Sequence, residues 1–215
     1  MGVITDNLDL WGEAIIGTLI LFAGGGLLAL VLGIIVGAMR VSPVPIARGV
    51  GTLYVNTIRN TPLTLVFFGF AFALPPLLDM RIAPMHLAIG ALGIYTATYV
   101  AETIRSGINT VPVGQAEAAR ALGLTFGQVM TLVVLPQAFR SVIPPMMSVF
   151  IALLKNTTVA AGFSVLNLGS IRSWLSERGE NQMLVIIWVM LIFVALVLLL
   201  SWAQQRLELR WKVAR

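Results

Sequence analysis

The chain has 215 residues, of which 58% are hydrophobic and only 11% are charged, and its mean hydropathy is +0.94. Soluble domains carry about 25% charged residues, so this composition excludes a soluble domain and predicts a single membrane domain over residues 1–215. The net charge of +5 would suggest a nucleic-acid partner in a soluble protein. In a membrane protein the same excess marks the cytoplasmic side, and no nucleic-acid partner is expected.

Five apolar stretches are long enough to be membrane-spanning helices. Crossing the hydrocarbon core of about 30 Å takes about 20 helical residues. The stretches are residues 15–39, 49–74, 84–104, 134–155 and 183–203. The expected fold is therefore an all-α integral membrane protein with about five transmembrane helices. Gly33 and Gly37 have a spacing that lets two helices approach closely, although glycines are also tolerated anywhere in a span.

The basic residues predict how these spans are oriented, because cytoplasmic loops carry an excess of Lys and Arg. With the N-terminus outside, the inner side receives Arg40, Arg48, Arg105, Arg120, Arg140, Arg206, Arg210, Lys212 and Arg215. The outer side receives Arg81, Arg172 and Arg178, together with Asp6, Asp9, Glu13, Asp79, Glu177 and Glu180. The sequence therefore predicts an N-out, C-in chain.

The second span contains the first candidate site, at Arg59, Asn60, Thr61 and Pro62. If the span enters from the cytoplasm near Gly49, Arg59 lies about 15 Å up the helix, near the membrane midplane. Pro62 lacks a backbone donor and predicts a break in the helix. A charge at this depth, beside a break, is a candidate for substrate binding. The alternative is that the span begins later and that the arginine reaches back to the interface.

The segment between the third and fourth spans, residues 114–124, is polar and helix-forming and lies on the predicted cytoplasmic side. Small exposed residues would make a shallow surface on which side chains of another protein can lie, and a surface helix that only joins two spans is the alternative. The candidate contact residues are Gly114, Gln115, Ala116, Glu117, Ala118, Ala119, Arg120, Leu122 and Gly123.

The fourth span ends in a second candidate site, at Lys155, Asn156, Thr157 and Thr158. The three polar residues have poor helix propensity, and the span is expected to end there, in the outer half of the membrane or just beyond its centre. Lys155 is a substrate-site candidate, or else an ordinary lysine at the outer interface. Together with Arg59 it would give two cations at membrane depth with no acid between them, which suits an anionic substrate.

Other polar and aromatic residues have structural interpretations. Glu102 is expected near the inner face, paired with Arg105 at i+3. Tyr95 and Tyr99 fit an interface belt or helix packing. The stretch 160–182 is interpreted either as a partial re-entry into the bundle followed by an external helix, or as a surface loop. His86 is the only histidine and the chain has no cysteine, so no metal site is expected.

One spacing pattern resembles a known family. Glu117-Ala118-Ala119, three residues, Gly123, nine residues, Val133, one residue and Leu135-Pro136 resemble the EAA loop of ABC importer permeases. The only departure is Val133, where the family usually has isoleucine. RNTPL at 59–63, VAETIRSGI at 100–108 and IALLKNTTVA at 151–160 are similar to the polar amino-acid branch, and within it to permeases of glutamate importers.

The resemblance implies a type I importer permease in a bacterial-type inner membrane, surrounded by lipid. It implies that residues 114–124 are a coupling helix that docks into an ATPase subunit. The family also pairs two permeases, identical or homologous, with two ATPases and an extracytoplasmic binding protein. No cofactor is expected on this chain, and ATP and Mg²⁺ would be bound by the partner ATPase.

The expected function is import of a polar amino acid, an acidic one such as glutamate or aspartate, by alternating access. A neutral polar substrate such as glutamine is the nearest alternative, and a secondary transporter or membrane scaffold is a more distant one. A secondary transporter would usually show an internal repeat, and none is visible. The chain has no P-loop motif, HExxH or GxSxG, so the sequence indicates a transport subunit without its own nucleotide site or catalytic residues.

Overall fold

The computed structural model describes residues 2–211, and every regular element within that range is helical. Lys212 and Arg215, two of the basic residues used to predict orientation, lie outside the described residues. The α-helices are α1 Gly2–Thr5, α2 Leu8–Val41, α3 Pro45–Arg59, α4 Leu63–Phe68, α5 Leu74–Leu78, α6 Pro84–Asn109, α7 Val113–Ala121, α8 Phe126–Gln128, α9 Leu135–Asn156, α10 Ile171–Glu177 and α11 Gln182–Trp211. The π-helical segments Gly69–Ala73 and Val129–Val134 precede α5 and α9, and the 3-10 helix Thr157–Phe163 follows α9.

Four of the five predicted spans are confirmed as long apolar helices, namely α2, α6, α9 with its flanking segments, and α11. The second predicted span differs, because α3 and the segment Leu63–Leu78 meet at an angle of 101°. The break falls at residues 60–62, where Pro62 has an extended ψ of 135° and cannot donate a backbone hydrogen bond. Residues 49–74 are therefore a bent pair of helices and not one straight span.

Helices α2 and α6 run parallel and pack closely through glycine. A Cβ atom at Gly33 would collide with Val100 and lie 3.0 Å from the carbonyl oxygen of Ala97. A Cβ at Gly37 would lie 3.2 Å from Cβ of Ile104. The glycine spacing therefore marks a contact between α2 and α6, and these glycines are not merely tolerated in the span.

A carboxylate joins three helices at the end of the bundle that carries α7, called here the α7 end. The Glu102 side chain of α6 lies 2.5 Å from Arg40 Nη1 of α2 and 2.5 Å from Arg105 Nη2. Arg59 Nη1, at the end of α3, is 3.9 Å away. The predicted pair of Glu102 with Arg105 is confirmed, and two further partners were not predicted.

The chain between α9 and α10 is buried and satisfies its polar groups locally. Asn167 is fully buried, and its amide oxygen accepts hydrogen bonds from the backbone N–H groups of Gly169 and Ser170. The Thr18 hydroxyl of α2 accepts a hydrogen bond from the N–H of Leu168 at 3.0 Å. This segment therefore packs into the bundle and is not a surface loop.

The opposite end of the bundle, called here the α10 end, is closed by contacts between the start of α2 and the turn after α10. Arg178 donates hydrogen bonds to Asn7 at 2.9 Å and to Asp9 at 3.0 Å. The Asn7 amide also donates to Glu180 at 2.7 Å. Polar and charged side chains therefore bind the start of α2 to the turn between α10 and α11.

The α2–α6 contact predicts a difference between two glycines of the same helix. Gly33→Ala should destabilise the protein by about 1–3 kcal/mol, because the added methyl group overpacks against α6. Gly12→Ala should be neutral or stabilising by up to about 1 kcal/mol, because nothing lies within 4 Å of its Cβ position and alanine favours the helix. The measurement is the thermal unfolding midpoint of each purified variant in detergent, and equal midpoints would contradict the proposed contact.

The Glu102 cluster predicts a second stability difference. Glu102→Gln should cost about 2–3 kcal/mol, because it leaves three guanidinium groups without a carboxylate at a site that is only 27% exposed. Arg59→Gln should cost less than about 1 kcal/mol, because that pair is longer and Arg59 is 40% exposed. The measurement is again the thermal unfolding midpoint of each purified variant in detergent. A larger loss of stability for Arg59→Gln than for Glu102→Gln would show that the cluster is assigned wrongly.

Candidate coupling helix and substrate pathway

The candidate coupling segment is an exposed helix, α7, that ends in a tight turn. The helix begins after Pro112, one residue earlier than the predicted start, and its regular part ends at Ala121. Gly123 has a φ of 86°, a left-handed conformation that glycine adopts without strain. In this turn the N–H groups of Gly123 and Leu124 donate to the carbonyls of Arg120 and Ala119 at 2.9 and 3.3 Å.

One face of α7 is anchored while the other is open. Ala119 is buried in an apolar cluster with Val129 and Val134. Ala116 is partly buried against the same cluster. The other predicted contact residues are exposed, namely Gly114, Gln115, Glu117, Ala118, Arg120, Leu122 and Gly123.

Apolar side chains flank this open face, and two of them, Val113 and Phe126, were not among the predicted contact residues. Leu122 is 85% exposed, and Val113 is 71% exposed at the opposite end of the helix. Phe126, just beyond the turn, is also exposed. Large apolar groups left open beside small residues are typical of a surface that another protein covers. In the sequence, these residues could have been found as apolar positions directly beside a polar, helix-forming segment.

A direct hydrogen bond links α7 to α9. The Gln137 amide donates to Gln115 Oε1 at 2.6 Å and to the carbonyl of Val133 at 2.8 Å. A second link joins the chain just after α6 to α9, where the hydroxyls of Thr110 and Ser141 lie 3.0 Å apart. Displacement of α7 would therefore act on the first turns of α9.

The structure changes the interpretation of Arg59. Its guanidinium Nη1 lies 3.9 Å from the carboxylate of Glu102 in α6, so Arg59 is not the cation without a nearby acid that the sequence suggested. The physical reason is the bend at residues 60–62, which ends α3 beside Glu102 of α6. The depth of Arg59 in the membrane and its role in substrate binding stay predictions. Asn60 and Pro62 are exposed, and the Thr61 hydroxyl donates to the carbonyl of Thr57 at 2.8 Å.

The second candidate group lies at the end of α9, and its residues differ in burial and in hydrogen bonding. Lys155 is exposed, and its ammonium group has no hydrogen bond or ion pair within the described residues. Thr157 is fully buried, its hydroxyl donates to the carbonyl of Leu154, and its own carbonyl accepts from Asn167, so it stabilises the fold. The Thr158 hydroxyl donates to the carbonyl of Lys155. No hydrogen bond or ion pair in residues 2–211 joins this group to Arg59–Pro62.

Asn156 lines a half-open cavity of about 400 Å³ between α6 and α9, called here the α6–α9 pocket. The residues of α6 that line it are Tyr95, Thr96 and Tyr99. The two tyrosine hydroxyls are 3.0 Å apart. The lining from α9 is Ser148, Val149, Ala152, Leu153 and Asn156. Tyr95 and Tyr99 therefore line this cavity as well as packing against each other.

Comparison with known proteins gives the family. Residues 29–213 match the family model described as binding-protein-dependent transport system inner membrane component. The glutamate transport system permease protein GluC of Corynebacterium efficiens is 43% identical, over 77% of this chain and 76% of that protein. The probable glutamine ABC transporter permease protein GlnM of Bacillus subtilis is 35% identical, over 98% of this chain and 97% of that protein.

Solved structures agree with the sequence comparison. A crystal structure of an amino acid ABC transporter with histidines has a chain that is 26% identical, with a TM-score of 0.90 and coverage of 96% of both chains. The MetNI methionine ABC transporter, at 22% identity and a TM-score of 0.81, shows the same fold. The chain therefore belongs to the binding-protein-dependent inner-membrane transport components, as a permease of the polar amino-acid ABC importers.

Proposed function

We propose that this chain is the permease subunit of an ABC importer that takes up an acidic amino acid, glutamate or aspartate, with transport driven by a partner ATPase. The observation that carries the proposal is α7, an exposed helix with small and apolar residues on its open face that is hydrogen-bonded to the membrane-spanning helix α9. The identity of 43% with a glutamate permease supports the substrate class.

The proposed assembly follows from the family. The chain would pair with a second permease, identical or homologous, and with ATPase subunits that bind ATP and Mg²⁺. An extracytoplasmic binding protein would deliver the amino acid to the α10 end. Closure of the ATPase pair would move α7, and the bond from Gln115 to Gln137 would pass that movement to α9.

The proposed orientation places the α7 end in the cytoplasm and the α10 end outside. It is supported by the basic side chains at the α7 end, among them Arg40, Arg105 and Arg120. Because the chain has no cysteine, single cysteines report orientation directly. We expect Asp79→Cys to react with an impermeant thiol reagent on intact cells, and Gln128→Cys to react only after the membrane is opened. The reverse pattern would overturn the orientation.

The docking role of α7 predicts that a bulky residue in its turn prevents binding of the ATPase. Gly123→Trp should reduce co-purification of the ATPase and uptake by at least about tenfold, because the indole would occupy the docking surface and strain a turn with φ of 86°. The matched control is Gly179→Trp, which introduces the same residue at a φ of 77° at the other end of the bundle.

Both glycines have nothing within 4 Å of their Cβ positions, so the two variants impose similar strain without a clash inside the chain. The control should retain the ATPase. If Gly123→Trp retains it equally well, α7 is not the docking helix.

The substrate assignment depends on Lys155, since Arg59 already has an acid nearby. We expect the reconstituted importer to prefer glutamate or aspartate in a panel of labelled amino acids. Lys155→Met should reduce glutamate uptake about tenfold and glutamine uptake less, because only glutamate brings a second carboxylate to the ammonium group. Equal losses of glutamate and glutamine uptake, or a wild type that prefers glutamine, would contradict the acidic substrate and favour a neutral one. The family assignment would not change.

A further inference from the structure

Helix α3 packs against its own chain on one side only. On that side Gly51 and Val55 are buried, and the Tyr54 hydroxyl donates to the carbonyl of Ile94 in α6 at 2.7 Å. Successive residues of a helix are turned by about 100°, so the exposed residues of α3 fall into two further sectors that lie side by side. These two sectors differ sharply in chemistry.

The first exposed sector is polar. Thr52, Asn56 and Asn60 are all exposed and are spaced four residues apart, so they form a row along the helix and across its end. This row is called here the polar flank. The Asn56 side-chain amide makes no hydrogen bond within residues 2–211. The polar flank therefore needs a partner from outside the described chain.

The second exposed sector is apolar. Ile46, Val50 and Leu53 are 79%, 53% and 68% exposed and are three or four residues apart, so they form a neighbouring row, called here the apolar flank. Thr57 is the one polar side chain of α3 in this sector. Isoleucine, valine and leucine are the side chains that hydrocarbon accommodates best. The apolar flank therefore fits a lipid environment.

The second half of α3 lies beside the middle of a membrane-spanning helix. Ile94, which accepts the hydrogen bond from Tyr54, is the eleventh of the 26 residues of α6, and α6 is long and apolar enough to cross a membrane. Asn56 is only about 3 Å further along α3 than Tyr54. An amide exposed to hydrocarbon at this depth would lose its hydrogen bonds with water, so lipid is an unfavourable partner for the polar flank.

The break that follows α3 favours water as the partner. Non-helical backbone at membrane depth is tolerated where it is buried in protein or where it lines a water-filled cavity. Asn60 and Pro62, at this break, are both exposed. Transporters place broken helices along the substrate path for this reason. The polar flank leads directly into the exposed break, so one aqueous space can hydrate both.

We propose that the polar flank of α3 lines a water-filled path along which the amino acid crosses the membrane, while the apolar flank faces lipid. The proposal rests on the proposed transport function for the identity of the solute. It adds Thr52 and Asn56 to the residues that line the path, and it fixes how α3 is rotated about its own axis.

The test uses single cysteines, because the chain has none of its own. Asn56→Cys and Leu53→Cys are only about 4.5 Å apart along the helix axis, so they compare the two flanks at nearly one depth. The probe is a small, negatively charged methanethiosulfonate applied to the complete reconstituted importer. Asn56→Cys should react at least about tenfold faster than Leu53→Cys, because a thiol in hydrocarbon stays protonated and the thiolate is the reactive form.

Modification of Asn56→Cys should also reduce the uptake of labelled glutamate, because the added charged group would occupy the path. Thr52→Cys and Val50→Cys form a second pair on the same two flanks, one turn earlier. They should show the same order of reactivity, and they replace the first pair if Asn56→Cys fails to fold.

Three results would overturn the proposal. Fast reaction on both flanks would place α3 in bulk water, and slow reaction on both would show that protein or lipid covers the polar flank. Fast reaction of Asn56→Cys with unchanged uptake would place the flank in water outside the path. A wild-type importer that takes up no amino acid overturns the proposed function instead, and the ratio of the two labelling rates still shows whether the polar flank faces water.

Discussion

The close approach of α2 to α6 is the constraint on which the rest of the structure depends. In lipid, apolar side chains gain little by meeting one another, so two helices associate through tight packing of small residues. Gly33 and Gly37 provide that packing against Val100 and Ile104. Once α2 and α6 are held parallel, the carboxylate of Glu102 can reach a guanidinium on each helix.

The parallel pair determines where the functional surfaces lie. The face of α6 that carries Tyr95 and Tyr99 lines a cavity together with residues of α9. The end of α6 leads directly into α7, which returns to α9 through the bond between Gln115 and Gln137. Helix α9 therefore contacts both the candidate substrate cavity and the candidate docking helix, which gives a short physical path between them.

Much of this architecture could be predicted from local sequence. Hydropathy located the spans, because about 20 apolar residues in a row have few other stable arrangements. The start of α7 could be placed within one residue and its end within three, because Gly123 supplies the left-handed turn that ends it. Pro62 predicted a break in the second span, yet its angle of 101° depends on how α3 packs against α6, which no local pattern records.

The site was harder to predict because it depends on contacts between distant residues. Arg40 and Glu102 are 62 positions apart, so only the fold reveals that this carboxylate is shared. Arg59 was expected to have no acid nearby, because its contact with Glu102 also joins distant parts of the sequence. The unpartnered hydroxyl of Thr96 was also not predictable, since a threonine in a span usually bonds its own helix, and only the structure shows that this one does not.

The shared carboxylate also has an electrical consequence. Three guanidinium groups surround one carboxylate, so the α7 end of the bundle holds a surplus of positive charge. In the proposed orientation this surplus faces the negative interior of the cell. Carrying one such charge across the whole membrane would cost about 2.3 kcal/mol at 100 mV. In that orientation the membrane voltage would hold this end of the protein on the cytoplasmic side, and would do so more strongly in an energised cell than in a depolarised one.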